Sequence, residues 1–508
     1  MTVFLKRDIS LLALSVIAAI ATRLLVLVVG RPAFVGWFNH SPYYWVQTRS
    51  LIESGGLAYG DMPLVFTLYA ALAKILSLLG VPLDDAVILS SRLVMVVAPA
   101  LIPIAVFVLA RGIAGGVPLA WPSRCLVFAS GFLPLTFANM PEVLQKNMVG
   151  LALLGFSLVV LFSWLRDRRT GQLILLLGLL ANTCLAHLGS GLAAFLLVTA
   201  VVADITLRRA TPVEIARIVL LAATVCLVIG GAIRAFDPAS WERVAVMSSA
   251  LVPGTPGDAA LSIVAIVLWL GLLFILWRWL LRRAAHRDEA EGSLARVILL
   301  WLGLLAMPLW PGEIGMRLLL FMPLGAVVLL VLLLQTFGGH IPKALAAVST
   351  VAFCLMSVGE ATSVLLTYPN KGEISQQLAA AADKHRFSED DLVITPYGVT
   401  PIANWFLGTK ASLITAVEED MHSRYKRIFV LNTLERPAPE LADGECRLLR
   451  SADDRYWATR HDTPVGNEAG RDPGFSEFAL YRLDEFPEDW VFDDEGRWVG
   501  WGACTRPS

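Results

Sequence analysis

The chain has 508 residues, 56% of them hydrophobic and 16% charged, with a formal net charge of −1. Its mean hydropathy is +0.66; soluble domains carry about a quarter charged residues, so a wholly water-soluble protein is excluded. So small a net charge exerts no long-range pull on a polyanion, which argues against a nucleic-acid partner.

Lys6 and Arg7 precede the first apolar run. No small-residue cleavage site follows, so the run reads as an uncleaved first span. A span needs ~20 apolar residues. The runs at 9–30, 86–110, 122–139, 147–164, 172–188, 190–206, 215–235, 259–281, 295–310, 316–337 and 343–366 meet or approach this, predicting about 11 transmembrane helices. The stretch 62–80 has the length, but Pro63 opens it and Lys74 interrupts it. A charge at the bilayer centre costs at least ~2.5 kcal/mol, so a flat juxtamembrane helix is the cheaper reading. Residues 1–366 then form a membrane body and 367–508 a soluble domain.

Basic loops orient the body. Arg166, Arg168 and Arg169 form one cluster, Arg208 and Arg209 the next, and Arg282, Arg283 and Arg287 a third. Two spans separate each from the next, so all three share one side, the cytoplasmic one; Arg111 and Lys343 join them. Counting onward puts the N-terminus inside and the C-terminal domain outside. The outer face then collects 31–85, 140–146, the turn at His187, 236–258, 311–317 and the tail, and function is expected there. The setting is expected to be a bacterial inner or plasma membrane. Internal repeats are not evident, and the spans show no paired acidic residues or runs of buried charge, which weighs against a transporter. Arg23, the main charge within a span, lies toward its outer end, where it can snorkel.

In the tail, a helix near 373–386, strands from Leu392, Ala411 and Arg427, and a helix near 400–407 alternate, predicting a mostly parallel sheet. No Gly-rich phosphate loop is present, so a nucleotide site is not expected. Cys125, Cys184, Cys226 and Cys354 sit in apolar runs as small hydrophobes. Cys446 and Cys504 lie in the tail and can form a disulfide if that domain is outside the cytoplasm.

Several polar residues stand out along the outer loops, each with a plain structural reading beside a functional one. His40 lies beside Trp37 and Trp45, in an aromatic belt or a site. Asp61 before Met62-Pro63 suits a helix cap or a site. Glu142 follows Pro141 at a helix start, where the dipole favours it. Lys146 can snorkel or hold a phosphate. His187 ends a span, as interhelical histidines do. Glu313 and Arg317 are four apart at a span opening, a spacing for an ion pair or for presenting Arg317 to a phosphate. Tyr43, Tyr44 and Trp45 suit membrane-interface anchoring or stacking.

The order of these parts, with the run from Ser41 to Gly56 and then Tyr59-Gly60-Asp61-Met62-Pro63-Leu64, resembles the GT-C superfamily of membrane glycosyltransferases. These take sugars from, or pass them to, polyprenyl-phosphate carriers; protein O-mannosyltransferases, aminoarabinose transferases and the oligosaccharyltransferase catalytic subunit belong to it. The likeness covers the architecture of 1–366 and is motif-specific over 37–95. It implies a GT-C-like polytopic α-helical fold, a polyprenyl-phosphate-linked sugar donor, and transfer on the outer face. It implies His40, Asp61 and Glu142 as catalytic candidates. Tyr43, Tyr44, Lys146, His187, Glu313 and Arg317 become candidates for substrate or lipid phosphate. One departure matters: the family has an Asp or Glu just before the Tyr-Tyr pair, and here Phe38-Asn39-His40-Ser41-Pro42 stands there. His40 or Asp61 would have to act as the base. The missing carboxylate also fits a non-catalytic scaffold of cell-envelope assembly that binds a lipid or a partner. Some members use a divalent ion held by carboxylates, and the outer loops here hold few. Donor sugar and acceptor are not written in the sequence.

Overall fold

The computed structural model describes residues 2–29, 41–115, 117–134, 136, 145–209, 271–280, 289–307, 312–337, 340–367, 372–395, 400–413, 417–433, 446–449, 478–483, 490–492, 496 and 498–504. The apolar runs fold as helices because lipid leaves backbone polar groups no partner but each other. In order these are α1 (Thr2–Val29), α2 (Ser41–Glu53), α3 (Leu64–Leu78), α4 (Leu83–Ala100), α5 (Ile102–Ile113) and α6 (Trp121–Ala129). Then come α7 (Gln145–Asp167), α8 (Thr170–Ala186), α9 (Leu188–Arg209) and α10 (Gly271–Leu280). The body ends with α11 (Glu289–Leu305), α12 (Gly312–Leu319), α13 (Met322–Phe337) and α14 (His340–Thr367).

Six described stretches are long and apolar enough to cross a bilayer: Asp8–Val28, Leu83–Ile113, Gln145–Asp167, Leu188–Arg208, Arg317–Gln335 and Pro342–Thr362. The protein is an integral membrane protein. The run expected at 122–139 is shorter: after α6 a single 3-10 turn, Ser130–Phe132, ends the helix ahead of Pro134. The expected span 215–235 lies outside the described residues, as does the first part of 259–281.

The stretch 62–80 forms the 15-residue α3. Both its ends are tied to α2: Tyr43 bonds Asp61 just before α3, and Arg49 pairs with Asp84 just after it at 3.4 Å. Along α2, Tyr43 and Arg49 are only about 9 Å apart. So both ends of α3 stay near α2, and Lys74 is exposed.

α4 with α5, α7 and α9 all start near this α2–α3 unit and end at Arg111, Arg166 and Arg208. α7 and α9 approach closely because Gly150 faces Ser190; a Cβ on Gly150 would come 2.3 Å from the Ser190 Cβ. That contact sets the height of the α8–α9 turn against the start of α7.

Two expectations about charge change. Arg23 does not snorkel: it is fully buried, and its Nη1 donates to the Ala19 and Gly131 carbonyls, each at 3.0 Å, while Nη2 donates to Thr136 Oγ1. α1 packs on α6 and the 3-10 turn, which seal the route to the interface. The body also holds buried charge that no single span reveals. Asp204 of α9 accepts from Arg296 Nε (2.7 Å), Ser293 Oγ (2.8 Å) and Trp277 Nε1 (3.1 Å), and pairs with Arg208 at 3.0 Å. Near the same end, Asp8 pairs with Arg111 and Arg124. Apart from Arg208, four residues on in α9, the partners come from different helices, so one run at a time shows few of these bonds.

Beyond α14 the chain changes character. α15 (Gly372–His385), β1 (Asp391–Thr395), α16 (Thr400–Leu407), β2 (Lys410–Leu413), α17 (Met421–Arg424) and β3 (Arg427–Thr433) follow. Next are β4 (Cys446–Leu449), β5 (Phe478–Leu483), β6 (Trp490–Phe492) and β7 (Trp498–Cys504). The first sheet has order β2-β1-β3-β5; β2, β1 and β3 are parallel, as their alternation with helices predicts, and β5 is antiparallel. A second, antiparallel sheet of order β4-β7-β6 goes beyond that expectation. Asp391, buried at the base of β1, is held by Arg427 at 2.6 Å and by the Ser388 backbone N–H. α16 docks this region on α2: the Trp405 and Trp45 rings lie 5.4 Å apart, and Arg49 sits 5.9 Å over Trp405.

Candidate active site

Helical spacing gives α2 two working faces. Trp45 and Arg49 meet α16, while Tyr43 and Gln47, four apart, face the other way. Gln47 clamps the following loop, donating to the Tyr59 carbonyl and accepting from the Tyr59 N–H, both at 2.9 Å. The Tyr59 ring then stacks on Tyr43 at 5.8 Å. This turns Asp61 back onto α2, where it accepts from the Tyr43 hydroxyl and, at 2.7 Å, from the Met62 N–H. Asp61 does not cap α3, whose start makes no side-chain cap bond.

Lys146, in the first turn of α7, brings its ammonium to the same carboxylate. Its Nζ also lies 5.6 Å from the Tyr43 ring centre and 5.5 Å from that of Phe66, two cation–π contacts. Burial disfavours the charged form of Asp61. Lys146, with the Tyr43 and Met62 hydrogen bonds, outweighs that and holds the carboxyl below the usual carboxylate range. Burial first, and the Asp61 contact second, push the Tyr43 phenol well up.

His187 ends α8 in the turn to α9, buried against Lys146 and Arg317. The Gly189 N–H donates to its Nδ1 at 3.0 Å, and Arg317 Nη1 lies 3.3 Å from its Nε2. Burial, then the charges of Lys146 and Arg317, push its pKa down to about 3, so the ring is neutral. A neutral imidazole has one N–H and cannot accept at both nitrogens. With Nδ1 accepting, the proton sits on Nε2, and two donors, Nε2–H and the Arg317 guanidinium, face one another. The Lys146 charge acts on both groups, which brings a third donor into the cluster.

Of the other expected residues, His40 and Glu142 lie outside the described residues, and Glu313 is the second residue of α12. Tyr44 is fully buried and stands behind the site. Its hydroxyl is hydrogen-bonded to the Lys146 backbone, and its ring packs on Tyr69 and Phe66, so it offers no free face for stacking. The structure thus brings Tyr43, Asp61, Lys146, His187 and Arg317 together. Sequence reasoning missed Gln47, Tyr59 and Asn147; only the i,i+4 spacing of Tyr43 and Gln47 pointed to the first. Among the described residues no three His, Cys, Asp or Glu side chains gather. The Asp61 oxygens are engaged by Lys146, Tyr43 and the Met62 N–H.

Beside α12, an almost wholly apolar cavity of about 510 Å³ opens among Leu272, Leu276, Leu302, Leu319, Met322 and Phe353.

The chain shares its fold with a crystal structure of ArnT from Cupriavidus metallidurans bound to undecaprenyl phosphate. The match has a TM-score of 0.50 and 12% identity over 93% of this chain and 99% of that one. The chain has the GT-C glycosyltransferase fold. ArnT from the same organism in the apo state aligns at a TM-score of 0.44 and 13% identity, over 82% of this chain and 92% of that one. No protein-family model and no curated protein matches the chain. Within the GT-C fold, the residue cluster described above is built from α2 and the loop after it, the start of α7, the α8–α9 turn and the last turn of α12.

Proposed function

We propose that the chain is a membrane glycosyltransferase that takes a sugar from a polyprenyl-phosphate carrier and passes it to an acceptor on the outer face of the membrane. The observation that carries this is the clustering of three donors: Arg317 Nη1 lies 3.3 Å from His187 Nε2, and the Lys146 charge acts on both. That arrangement suits a phosphate, which offers only acceptors and matches the fork of an arginine. The apolar cavity beside α12 suits a prenyl chain. The ArnT structure, which holds undecaprenyl phosphate, supports the same class of ligand.

In this reading the donor's phosphate oxygen replaces Asp61 as the partner of Lys146. Asp61, released from the ammonium, rises toward its ordinary basicity and takes a proton from the acceptor's hydroxyl or amine. The acceptor atom bonds to the anomeric carbon while the bond from that carbon to the phosphate oxygen breaks. The polyprenyl phosphate leaves with the electron pair, its charge held by Lys146 and Arg317. His40 remains the other candidate base.

A second reading, a lipid-binding scaffold without catalysis in cell-envelope assembly, is favoured by the engagement of Asp61 with Lys146. Mass spectrometry of co-purified lipids, followed by transfer assays with the lipid found, separates the two. A transferase turns the lipid over, and Asp61→Ala or His40→Ala abolishes turnover in a protein that still folds. Full activity in both variants would remove this assignment of the base. Bound lipid that the wild-type protein never turns over would favour the scaffold.

A further inference from the structure

Buried polar side-chain atoms almost always find a hydrogen-bond partner, and each exception asks for an explanation. Among the described residues, five partnerless buried atoms fall in four side chains around Lys146: Tyr59 Oη, Tyr69 Oη, Gln145 Oε1, and both Oδ1 and Nδ2 of Asn147. Gln145 and Asn147 flank Lys146 on α7, and their exposures are 1% and 0%. Gln145 spends its Nε2 on Ser41 Oγ, which leaves the carbonyl oxygen as the orphan. Asn147 lies against the turn that carries His187: a Cβ on Gly189 would come 3.5 Å from Asn147 Oδ1 and 3.1 Å from His187 Nδ1. Tyr59 stacks on Tyr43, and Tyr69 packs on Tyr44.

These orphans differ in chemistry from the cations beside them. Phosphate oxygens satisfy Lys146, Arg317 and His187 Nε2–H, but they cannot satisfy the amide oxygens of Asn147 and Gln145, which need donors. A group that both donates and accepts, a hydroxyl, fits the Asn147 amide, whose oxygen and nitrogen are both orphaned. An ammonium fits poorly. It would meet the charges of Lys146 and Arg317, which already act on one another.

We propose that Asn147, lying against the His187 turn, forms the sugar subsite, and that the sugar it takes is uncharged and hydroxylated. This rests on the lipid-phosphate reading above and adds the substrate class. Asn147 is then a specificity residue whose unmet hydrogen bonds are a standing cost in the empty protein, relieved when the sugar binds.

Binding of lipids to the full-length protein in detergent tests it. The probes are bare undecaprenyl phosphate, undecaprenyl phosphates carrying glucose, galactose, mannose or arabinose, and one carrying a 4-amino pentose. At least one neutral sugar should tighten binding about tenfold over the bare lipid, and the amino sugar should not. Asn147→Ala should erase that gain and change bare-lipid affinity by less than about twofold, since it removes no phosphate contact. It should also leave the Tm of the lipid-free protein unchanged or higher, because it deletes an unsatisfied buried amide. The proposal is overturned if the amino sugar binds tightest, if no neutral sugar gains, or if Asn147→Ala weakens bare lipid equally. A lower Tm for the lipid-free variant would also overturn it, marking Asn147 as a structural residue satisfied by buried water. Failure of even the bare lipid to bind overturns the lipid-phosphate reading and this one with it. Normal bare-lipid binding without a sugar effect overturns this one alone.

Discussion

The Lys146 ammonium closes on the Asp61 carboxylate across 85 positions of chain, and the two side chains are 6% and 15% exposed. Removing either leaves its partner charged and mostly out of water. Asp61→Asn is expected to destabilise the protein by about 2 kcal/mol, less than the cost for a fully buried pair. It should end sugar transfer while undecaprenyl phosphate binds as well as before or better, because Lys146 is unopposed. Lys146→Met should weaken that binding at least about tenfold, as loss of a charged hydrogen-bond donor does. Lipid titration of the two variants, with a thermal melt of each, reads all these outcomes.

His187 carries a pH signature. Its folded pKa is pushed down to about 3, while an unfolded histidine titrates near its ordinary 6.5. Between these values the unfolded chain binds a proton that the folded one refuses, so stability rises with pH across this window. The contribution is complete above the ordinary histidine value and is lost progressively as pH falls from there toward 3. His187→Gln should flatten the fall of Tm between pH 7 and pH 4. A variant whose Tm profile runs parallel to wild type over that range would show that His187 is not the group responsible.

The contact of Trp405 with Trp45 and Arg49 joins the C-terminal region to the face of α2 that lies opposite Tyr43 and Gln47. Trp405 is partly buried, so Trp405→Ala is expected to cost about 1–2 kcal/mol, below the value for a core tryptophan. Hydrogen exchange should rise in α2 and α16 together, and Trp405→Phe should restore much of the protection. Faster exchange confined to α16 would show that α2 does not depend on the contact.

Cys446 and Cys504 are register partners across the antiparallel β4–β7 pair. Directly opposed residues in such a pair have Cα atoms about 4.5–5.5 Å apart, within the span of a disulfide. With the tail outside the cytoplasm, thiol labelling under denaturing, non-reducing conditions should modify the other four cysteines and gain two sites after reduction. Labelling of all six without reductant would count against both the bridge and the outer placement. A cysteine at Ser50, reached by an impermeant reagent on intact cells, checks the same sidedness independently.

Much of the architecture is legible in the amino-acid sequence. Long apolar runs have one fold open to them in lipid, so the helices follow from composition, and Pro63 marks where α3 begins. The alternation in the tail is enough for β1 to β3, because buried parallel strands read as short continuous apolar runs. Strands β4 to β7 are not legible, since their pairing joins Cys446 to Cys504 and Arg427–Thr433 to Phe478–Leu483 across long separations.

The site divides the same way. Asp61, Lys146, His187 and Arg317 stand out in the sequence because polar residues at the ends of apolar runs need a reason to be there. Which of them meet is decided only by tertiary structure. The Gln47 clamp on Tyr59 aims Asp61, and the close approach of Gly150 to Ser190 sets the His187 turn against the start of α7. The role of Asn147 is invisible in sequence, because an asparagine near the start of a helix is unremarkable until burial removes the water that would have satisfied it. Arg23 and Asp204 make the converse point. Along its own helix Arg23 reaches the Ala19 carbonyl and Asp204 reaches Arg208; the other bonds named come from partners more than 70 positions away.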